Sequence, residues 1–252
     1  MTKILLCGAN GRMGKAITRL VSERSNAEII CGVDLITESS SGFPVYPDFA
    51  SVKESPDVII DFSNPANFDN LMDYAEAKGI PVVVATTGLV AEQKQRLTDA
   101  SKKIPVFFSA NMSLGVNLLI ELSRKATAFL GESFDIEIVE KHHNQKLDAP
   151  SGTALAVADA INEELNGAGH YVYDRHSVRK KRDKNEIGIH AVRGGNIVGE
   201  HTVIFAGENE VIELSHSASS REVFASGAVR AGIFMKDKPA GFYDMSSLIN
   251  SL

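Results

Sequence analysis

The segment EKHHNQKLDAPSGTA, at residues 140–154, concentrates side chains that can donate protons and bind anions. His142 and His143 are adjacent, and Lys146 follows three residues after the second of them. A histidine titrates near neutral pH and can deliver a proton to a reacting atom. Because neighbouring side chains of an extended chain point to opposite sides, we expect the two histidines to have different roles. Lys146 is expected to be either a second proton donor or an electrostatic clamp.

Ser151, Gly152 and Thr153 follow a proline and are expected to begin a helix. The free amides and the positive end of a helix N-terminus favour an anion. Together with the nearby histidines and lysine, these residues predict a pocket for the carboxylate of an acidic substrate. No metal site is expected, because adjacent histidines lack the spacing of zinc ligands and no cysteine pair accompanies them. A solvated loop that carries the histidines by chance is the alternative.

The N-terminal stretch KILLCGANGRMGKAI predicts a dinucleotide-binding loop. It places Gly8, Gly11 and Gly14 between an apolar strand and a helix, where glycines allow a tight turn and a close approach to a pyrophosphate. The spacing is G-x-x-G-x-x-G, and Asn10 stands where the stricter motif has its second glycine. A plain glycine turn is the alternative.

Asp34 follows the next apolar run, at the usual distance for a residue that binds the ribose of a dinucleotide. A loop-start aspartate without a ligand is the alternative. Leu35 and Ile36 come next, and neither can neutralise a 2′-phosphate, so NADH is favoured over NADPH. Arg12 could compensate in part, which keeps NADPH possible.

Alternating patterns predict a parallel sheet in the first 110 residues. Short apolar runs lie at 3–7, 28–33, 57–62, 81–85 and 105–108, and helical patterns lie at 12–23, 66–78 and 91–102. Continuous apolar strands separated by helices are typical of a sheet that is covered on both faces. The segment 35–52 is predicted to be a loop. Small polar residues that follow two of the strands are expected to be ligand contacts or turn residues, namely Ser63, Asn64 and Thr87.

The pattern changes near Asn111. An amphipathic helix to residue 131, an alternating strand at 134–143 and a helix at 152–165 precede strand-like runs at 187–192, 202–206 and 210–215. Strands without intervening helices predict a mostly antiparallel sheet. The predicted fold is therefore α/β, with a Rossmann-type doubly wound parallel sheet over 1–112 plus 220–252 and a second α+β domain over 113–219. The return of the last helix, at 221–235, to the first domain rests on fold analogy.

Composition narrows the class of protein. The 252 residues include 26 Lys and Arg and 32 Asp and Glu, which gives a net charge of −6 and argues against a nucleic-acid binder. The basic segment 175–184 is expected to be a solvated loop. The two cysteines, Cys7 and Cys31, lie in apolar runs, and neither a signal peptide nor a membrane-spanning run is recognisable. We therefore expect a cytoplasmic protein with reduced thiols and no membrane contact.

Seven motifs occur in a fixed order: GANGRMG, DFSNP, ATTG, SANMSLGVN, EKHHNQKLDAPSGTA, RGGNIVGEHTVIF and LSHSASSREVFASGAVRAGIF. In this order they resemble the dihydrodipicolinate reductase family over almost the whole chain. The resemblance implies the reduction of 4-hydroxy-tetrahydrodipicolinate, a cyclic dicarboxylate, to tetrahydrodipicolinate with NADH or NADPH in diaminopimelate and lysine synthesis. It also implies a homotetramer assembled through the sheet of the second domain.

The resemblance further assigns roles to single residues. It implies that His142 is the acid–base residue and that Lys146 is its partner in proton donation. The residues implied to bind the substrate are His143, Ser151, Gly152 and Thr153. The residues implied to line the cofactor are Gly8, Ala9, Asn10, Gly11, Arg12, Met13, Asp34, Ala85, Thr86, Thr87, Ser109, Ala110, Asn111 and Met112.

Three positions depart from the family pattern. Ala85 stands where many members have glycine, and Met112 stands where an aromatic residue is common. Leu35 follows the acidic residue where members that tolerate NADP can have arginine. Two other functions stay open, namely another NAD-linked dehydrogenase of an amino-acid-derived acid and a regulatory protein that binds the nucleotide without doing chemistry. The second would be expected to lack the proton donors, which this chain retains.

Overall fold

The computed structural model describes residues 1–38 and 42–251. Residues 39–41, which belong to the predicted loop at 35–52, and Leu252, at the end of the predicted first domain, lie outside the described residues. The chain forms two compact units, one made of Met1–Leu114 with Glu222–Leu252 and the other of Gly115–Arg221. In the described part of the chain, no helix is both long and apolar enough to cross a membrane.

The first part of the chain alternates strands and helices, as the sequence pattern predicts. Its strands are β1 (Thr2–Cys7), β2 (Ala27–Val33), β3 (Val45–Tyr46), β4 (Val58–Asp61), β5 (Val82–Val84) and β6 (Pro105–Phe108). Its helices are α1 (Arg12–Ser22), α2 (Phe68–Lys78) and α3 (Ala91–Ala100). Strand β3 lies within the segment predicted to be a loop, and this part of the prediction was wrong because two residues are too few to show an alternating pattern.

The rest of the chain supplies the second unit and then returns to the first. The second unit contains α4 (Leu114–Leu130), β7 (Asp135–His142), α5 (Gly152–Glu164), β8 (His170–Val172), β9 (Glu186–Arg193), β10 (Gly199–Ala206) and β11 (Val211–Ala218). The C-terminal segment forms α6 (Glu222–Met235), β12 (Gly241–Tyr243) and α7 (Met245–Ile249). The short elements β8, β12 and α7 were not predicted.

The first sheet has seven strands in the order β12-β6-β5-β4-β1-β2-β3, and every neighbouring pair is parallel. Helices α1 and α6 contribute to the apolar core on one face, and α2 and α3 contribute to the core on the other. The predicted doubly wound sheet is thus confirmed. The strand order reverses between β1 and β4, and such a switch point opens a ligand crevice at the carboxyl ends of the strands.

The second sheet is mixed. Its order is β11-β10-β7-β9-β8, with antiparallel pairs between β10 and both β11 and β7, and parallel pairs between β9 and both β7 and β8. The predicted α+β unit is confirmed, but its sheet is not mostly antiparallel. The reason is that α5 carries the chain back after β7, so that β8 and β9 run in the same direction as β7.

The basic segment 175–184 is an exposed loop, as predicted, and ion pairs tie part of it to the second sheet. Arg182 donates hydrogen bonds to the Glu137 carboxylate and to the Glu186 carbonyl oxygen. Arg175 forms ion pairs with the carboxylates of Glu137 and Glu186. The Glu186 side chain is buried and needs cationic partners. Part of this segment is therefore held against the second sheet by ion pairs within the chain.

Candidate active site

The glycine loop after β1 is shaped by two close backbone approaches. Gly8 has φ +75°, and a Cβ there would lie 2.7 Å from the Phe62 carbonyl oxygen at the end of β4. A Cβ on Gly14 would lie 2.2 Å from the Gly8 carbonyl oxygen, so α1 packs directly on the turn. Both positions require glycine. The helix then begins after Gly11, which has no side chain to cap its first amides.

Asp34 joins this loop to the end of β2. Its carboxylate accepts hydrogen bonds from the backbone N–H groups of Asn10 at 2.9 Å and Ile36 at 3.1 Å. The Asn10 side-chain amide donates to the carbonyl oxygens of Ile36 at 2.5 Å and Glu38 at 3.2 Å. Asn10, at the position of the missing glycine, therefore ties the glycine loop to the loop that follows β2.

A cavity of about 550 Å³ opens beside this junction. Gly8 and Asp34 from the predicted cofactor set line it, and so do Leu35 and Ser63. A carboxylate, a glycine turn and the start of a helix meet at one edge of the sheet, and this set of groups fits the adenosine and pyrophosphate parts of a dinucleotide.

A second cavity, of about 360 Å³, lies at the same sheet edge. Ser63 lines this cavity as well as the larger one, whereas Phe62 and Phe224 were not predicted. Phe224 comes from α6, far along the chain, and no local pattern points to it. The predicted cofactor residues that line this cavity are Met13, Ala85, Thr86, Thr87, Ala110 and Met112.

The remaining predicted cofactor residues lie around these cavities without lining them. Ala9 is buried in the turn, and Arg12 is exposed at the first position of α1. After β6, the Ser109 hydroxyl donates to the Asn111 carbonyl oxygen at 2.7 Å, and the Asn111 side chain accepts from the Ser113 N–H at 2.9 Å. Ser109 and Asn111 therefore shape the turn that carries Ala110 and Met112.

Asp61, the last residue of β4, was not predicted to belong to the site. Its buried carboxylate accepts hydrogen bonds of 2.6 Å from the hydroxyls of Ser63 and Thr86, and one of 3.0 Å from the Ser63 N–H. Burial raises the pKa of Asp61, although these hydrogen bonds oppose the shift. A buried acid thus holds two residues that line the cavities.

In the second unit, the alternation of β7 places Glu140 and His142 on its buried face. His142 Nδ1 lies 2.6 Å from Glu140 Oε2. Glu140 Oε1 accepts a hydrogen bond of 3.0 Å from the Ser151 N–H at the start of α5. One buried carboxylate therefore holds the predicted acid–base residue and the predicted anion-binding helix N-terminus together.

Arg193 completes this cluster. Its guanidinium donates to both oxygens of Glu140, at 2.8 and 2.7 Å, and to the Asp148 carbonyl oxygen at 2.7 Å. Burial alone would raise the pKa of Glu140, but the hydrogen bonds from Arg193, His142 and the Ser151 amide outweigh it and hold this pKa below its usual value. Glu140 is thus an ionised, fully buried carboxylate.

Lys146 lies in the loop after β7, where its Nζ is 2.9 Å from Asp148 Oδ1. This ion pair lowers the pKa of Asp148. The Lys146 N–H donates to the carbonyl oxygen of His143 at 3.2 Å, which folds the loop into a turn. His143 is partly buried directly after the strand. The pairing of Lys146 with Asp148 was not predicted, although the two residues are separated by only one position.

His201, on β10, is a further buried histidine that was not predicted. Its Nε2 lies 3.2 Å from the Ser151 hydroxyl, and its ring packs edge-on against that of His142, with the centroids 5.3 Å apart. Ser151 also caps α5, because its hydroxyl accepts from the Ala154 N–H. Burial lowers the pKa of His201 to about 4, with a contribution from His142. The start of α5, with Gly152 and Thr153, is therefore fixed from two sides.

Sequence comparisons relate the whole chain to one family. The profile for dihydrodipicolinate reductase, N-terminus, matches residues 2–112, and the profile for dihydrodipicolinate reductase, C-terminus, matches residues 115–249. A 4-hydroxy-tetrahydrodipicolinate reductase of Caldanaerobacter subterraneus subsp. tengcongensis is 54% identical over 249 residues, which cover 99% of this chain and 98% of that protein. Another, of Clostridium tetani, is 48% identical and covers 100% of this chain and 98% of its own.

Solved structures agree with this relation. The structure of dipicolinate-bound dihydrodipicolinate reductase from Paenisporosarcina sp. TG-14 matches with a TM-score of 0.83 and 27% identity over 100% of both chains. A myo-inositol dehydrogenase from Lactobacillus casei, in complex with NAD(H) and myo-inositol, matches with a TM-score of 0.62 and 17% identity over 98% of this chain and 90% of its own. The second likeness concerns the fold alone.

Proposed function

The chain belongs to the dihydrodipicolinate reductase family and reduces 4-hydroxy-tetrahydrodipicolinate with a nicotinamide cofactor in diaminopimelate and lysine biosynthesis, and we propose that His142 supplies the proton for this reduction. The observation that carries the proposal is the sharing of the Glu140 carboxylate by His142 and Ser151. It brings a proton-donating ring next to a helix N-terminus that suits a substrate carboxylate.

The first unit is proposed to hold the cofactor. Gly8 and Gly14 let the turn pack closely against the end of β4 and the start of α1, where the first amides of the helix are proposed to hold a pyrophosphate. Asp34 offers a carboxylate to the ribose. Thr86, Thr87 and the residues around the smaller cavity are proposed to surround the nicotinamide. When bound there, the reduced nicotinamide supplies the hydride, while the protein orients it and excludes water.

NADH is the proposed cofactor. Leu35 lines the larger cavity directly after Asp34. The described residues that line this cavity include no lysine or arginine that could bind a 2′-phosphate. The Asp34 carboxylate would repel that phosphate while it accepts hydrogen bonds from a free 2′-hydroxyl. Arg12 is exposed at the start of α1 and is the residue through which NADPH would remain usable.

The second unit is proposed to bind the dicarboxylate substrate. The amides of Gly152 and Thr153 lie at the start of α5, which Ser151 caps, and they are proposed to hold one carboxylate with help from His143. Lys146 is proposed to add positive charge and to take part in proton donation. Its ion pair with Asp148 holds the ammonium group against the loop to which both residues belong.

The test is an assay of reduced-nicotinamide absorbance with substrate generated in the cuvette by its own synthase. We expect His142→Gln to lower turnover by about 10²–10⁴-fold, the usual contribution of general acid catalysis, while NADH binding stays unchanged. His176→Gln is the control, because His176 is an exposed histidine of the same unit. Normal turnover of the His142→Gln variant would refute the assigned role. Binding of NADH without any turnover by the wild type would favour a regulatory protein.

A homotetramer is also proposed. The face of the second sheet opposite its core carries exposed apolar side chains, including Val192 and Val211. Burial of such side chains between chains would stabilise an assembly. Light scattering after gel filtration is expected to give four times the chain mass of 27.2 kDa. A mass of one chain would exclude this assembly.

A cytoplasmic location is proposed from the cysteines. Cys7 and Cys31 are buried and unpaired, and burial raises the pKa of both thiols, that of Cys31 to about 12. Such thiols are unreactive and suit a reducing compartment. Fractionation of the source cells should recover the enzyme with cytoplasmic markers.

A further inference from the structure

We propose that Glu140 is a positioning residue which fixes the tautomer and the charge of His142, and that Arg193 keeps this carboxylate in place. The proposal rests on the proposed role of His142 as proton donor. Glu140 and Arg193 each begin one of the motifs quoted above, but neither was assigned a role from the sequence. Both act through His142 and the start of α5, and they do not need to touch the substrate.

The hydrogen-bond geometry determines which ring nitrogen carries the proton. An ionised carboxylate can only accept hydrogen bonds, so at 2.6 Å from Glu140 Oε2 the Nδ1 atom of His142 must be the donor. Nε2 is then the atom that exchanges a proton with the substrate. It lies on the opposite side of the ring, where a Cβ on Gly199 would be 3.1 Å away. Glycine at this position keeps the space next to Nε2 open.

The charge of Glu140 acts in the same direction. A fully buried anion next to the ring stabilises the protonated imidazolium, which is the form that donates. Arg193 binds both carboxylate oxygens through two parallel N–H groups and thereby prevents the carboxylate from rotating away. Because Arg193 also favours the ionised form, Glu140 does not compete with His142 for the proton.

The other titratable and charged groups around His142 do not add to this effect. His201 packs against its ring from β10, and Lys146 and Asp148 lie in the loop that follows β7 as an ion pair with little net charge. Arg193 itself is a cation that approaches from β9. Among the described residues, Glu140 is therefore the anion in direct contact with the His142 ring. Its replacement should change the protonation of His142 more than the replacement of any other single residue.

Glu140 also couples the proton donor to the proposed carboxylate site. Its second oxygen accepts the N–H of Ser151, the residue that caps α5. Loss of Glu140 should therefore impair both the chemical step and substrate binding. A residue with a purely structural role would instead lower stability without changing the pH dependence of catalysis.

The experiment compares the pH profiles of the wild type and of Glu140→Gln. We expect kcat to fall by about 10–100-fold, as for other residues that orient a functional histidine. The alkaline limb of the kcat/KM profile should move to lower pH, because the neutral amide no longer provides an anion beside the ring. The conservative variant Glu140→Asp keeps the charge and should retain the position of the limb better than Glu140→Gln does.

Glu137→Gln is the matched control. Glu137 lies on the other face of the same strand, 2.7 Å from His190 Nε2 and 3.0 Å from Arg182 Nε, and it also pairs with Arg175. The substitution therefore removes a carboxylate that, like Glu140, contacts a histidine and an arginine. It should leave the alkaline limb in place. If Glu137→Gln moves the limb as far as Glu140→Gln does, the effect is one of total charge and the proposal is wrong.

Two further variants separate the possible failures. Glu140→Gln leaves Arg193 without its anion, so Glu140→Gln combined with Arg193→Met removes both buried charges and should fold if the single variant does not. Its limb should be displaced in the same direction but less far, because the cation that disfavours the imidazolium is removed together with the anion. In the His142→Gln background, Glu140→Gln should have no additional effect on kcat. An unchanged profile in folded Glu140→Gln, with His142→Gln inactive, would overturn this proposal alone, whereas full activity of His142→Gln would overturn the proposed function.

Discussion

The hydroxyl of Thr86 donates a hydrogen bond of 2.6 Å to the carboxylate of Asp61, at the end of the neighbouring parallel strand. The same carboxylate accepts the hydroxyl of Ser63, which lines both cavities of the first unit. Asp61 is almost completely buried, so its carboxylate is not expected to contact a ligand directly. Its proposed part in cofactor binding is therefore indirect, because it holds Thr86 and Ser63 at the cavities.

Replacement of Asp61 by Ala should weaken NADH binding. The hydroxyls of Thr86 and Ser63 would each lose a charge-assisted hydrogen bond, and we expect the KM for NADH to rise by about tenfold. Asp61→Asn preserves the volume and should show a smaller rise. Initial rates at varied NADH concentration measure the rise in KM, and Asp69→Ala, at an exposed aspartate of α2, is the control. An unchanged KM in folded Asp61→Ala would contradict the role of this carboxylate.

Leu35→Arg should increase the use of NADPH. The side chain is 95% exposed and lines the cavity next to Asp34, so a guanidinium there can bind a 2′-phosphate. We expect the KM for NADPH to fall by about tenfold, with a much smaller change for NADH. Initial rates with both cofactors check this. Ile36→Arg adds the same charge one residue farther along, and an equal shift in that variant would show a general electrostatic effect instead.

Lys146→Ala should lower turnover as well as substrate affinity. If Lys146 takes part in proton donation, kcat should fall by about 10²-fold in addition to a rise in the substrate KM. Steady-state kinetics at saturating NADH separate the two effects. A rise in KM with an unchanged kcat would leave Lys146 as an electrostatic clamp. Asp148→Asn releases the ammonium group from its ion pair and is expected to lower the substrate KM.

His201 should make the protein less stable in mild acid. Burial lowers its pKa to about 4, against an ordinary value of 6.5, so below pH 6.5 the unfolded chain binds a proton that the folded protein refuses. Stability from this group is present above pH 6.5 and is lost as the pH falls towards 4, by about 2 kcal/mol between pH 7 and pH 5. Urea unfolding at the two pH values measures this loss.

The matched variant is His201→Gln, whose amide can still reach the Ser151 hydroxyl but does not titrate. It should lose less stability than the wild type between pH 7 and pH 5. The exposed His176→Gln should behave as the wild type does. An equal pH dependence in His201→Gln and the wild type would show that another group is responsible.

The repeated alternation of strands and helices was sufficient to predict the first sheet, because β1, β2 and β4–β6 are continuous apolar runs. The same reasoning failed for β8, whose three residues follow a polar loop and show no period. It also failed for the direction of β9, since strand direction depends on the path of α5 and not on a local pattern. The position of β8 and the direction of β9 are set by the elements they pack against and not by their own residues.

The site was predictable in part for a similar reason. His142, Lys146 and Ser151 lie in one segment, where residue type and spacing carry the signal. Glu140 could have been found, because it lies two residues before His142 and so shares its face of the strand. Arg193 and His201 could not, since they contact the cluster from strands 50 or more positions away in the chain.

The path of the chain through the first sheet also bears on its synthesis. Strand β1 lies inside this sheet, yet α6 covers one of its faces and β12 forms one of its edges, and both come from the last part of the chain. Residues 115–221, in contrast, are contiguous. On the ribosome, the second unit is fully made before the first has all of its parts, so the nucleotide-binding unit can close only after Tyr243 has emerged.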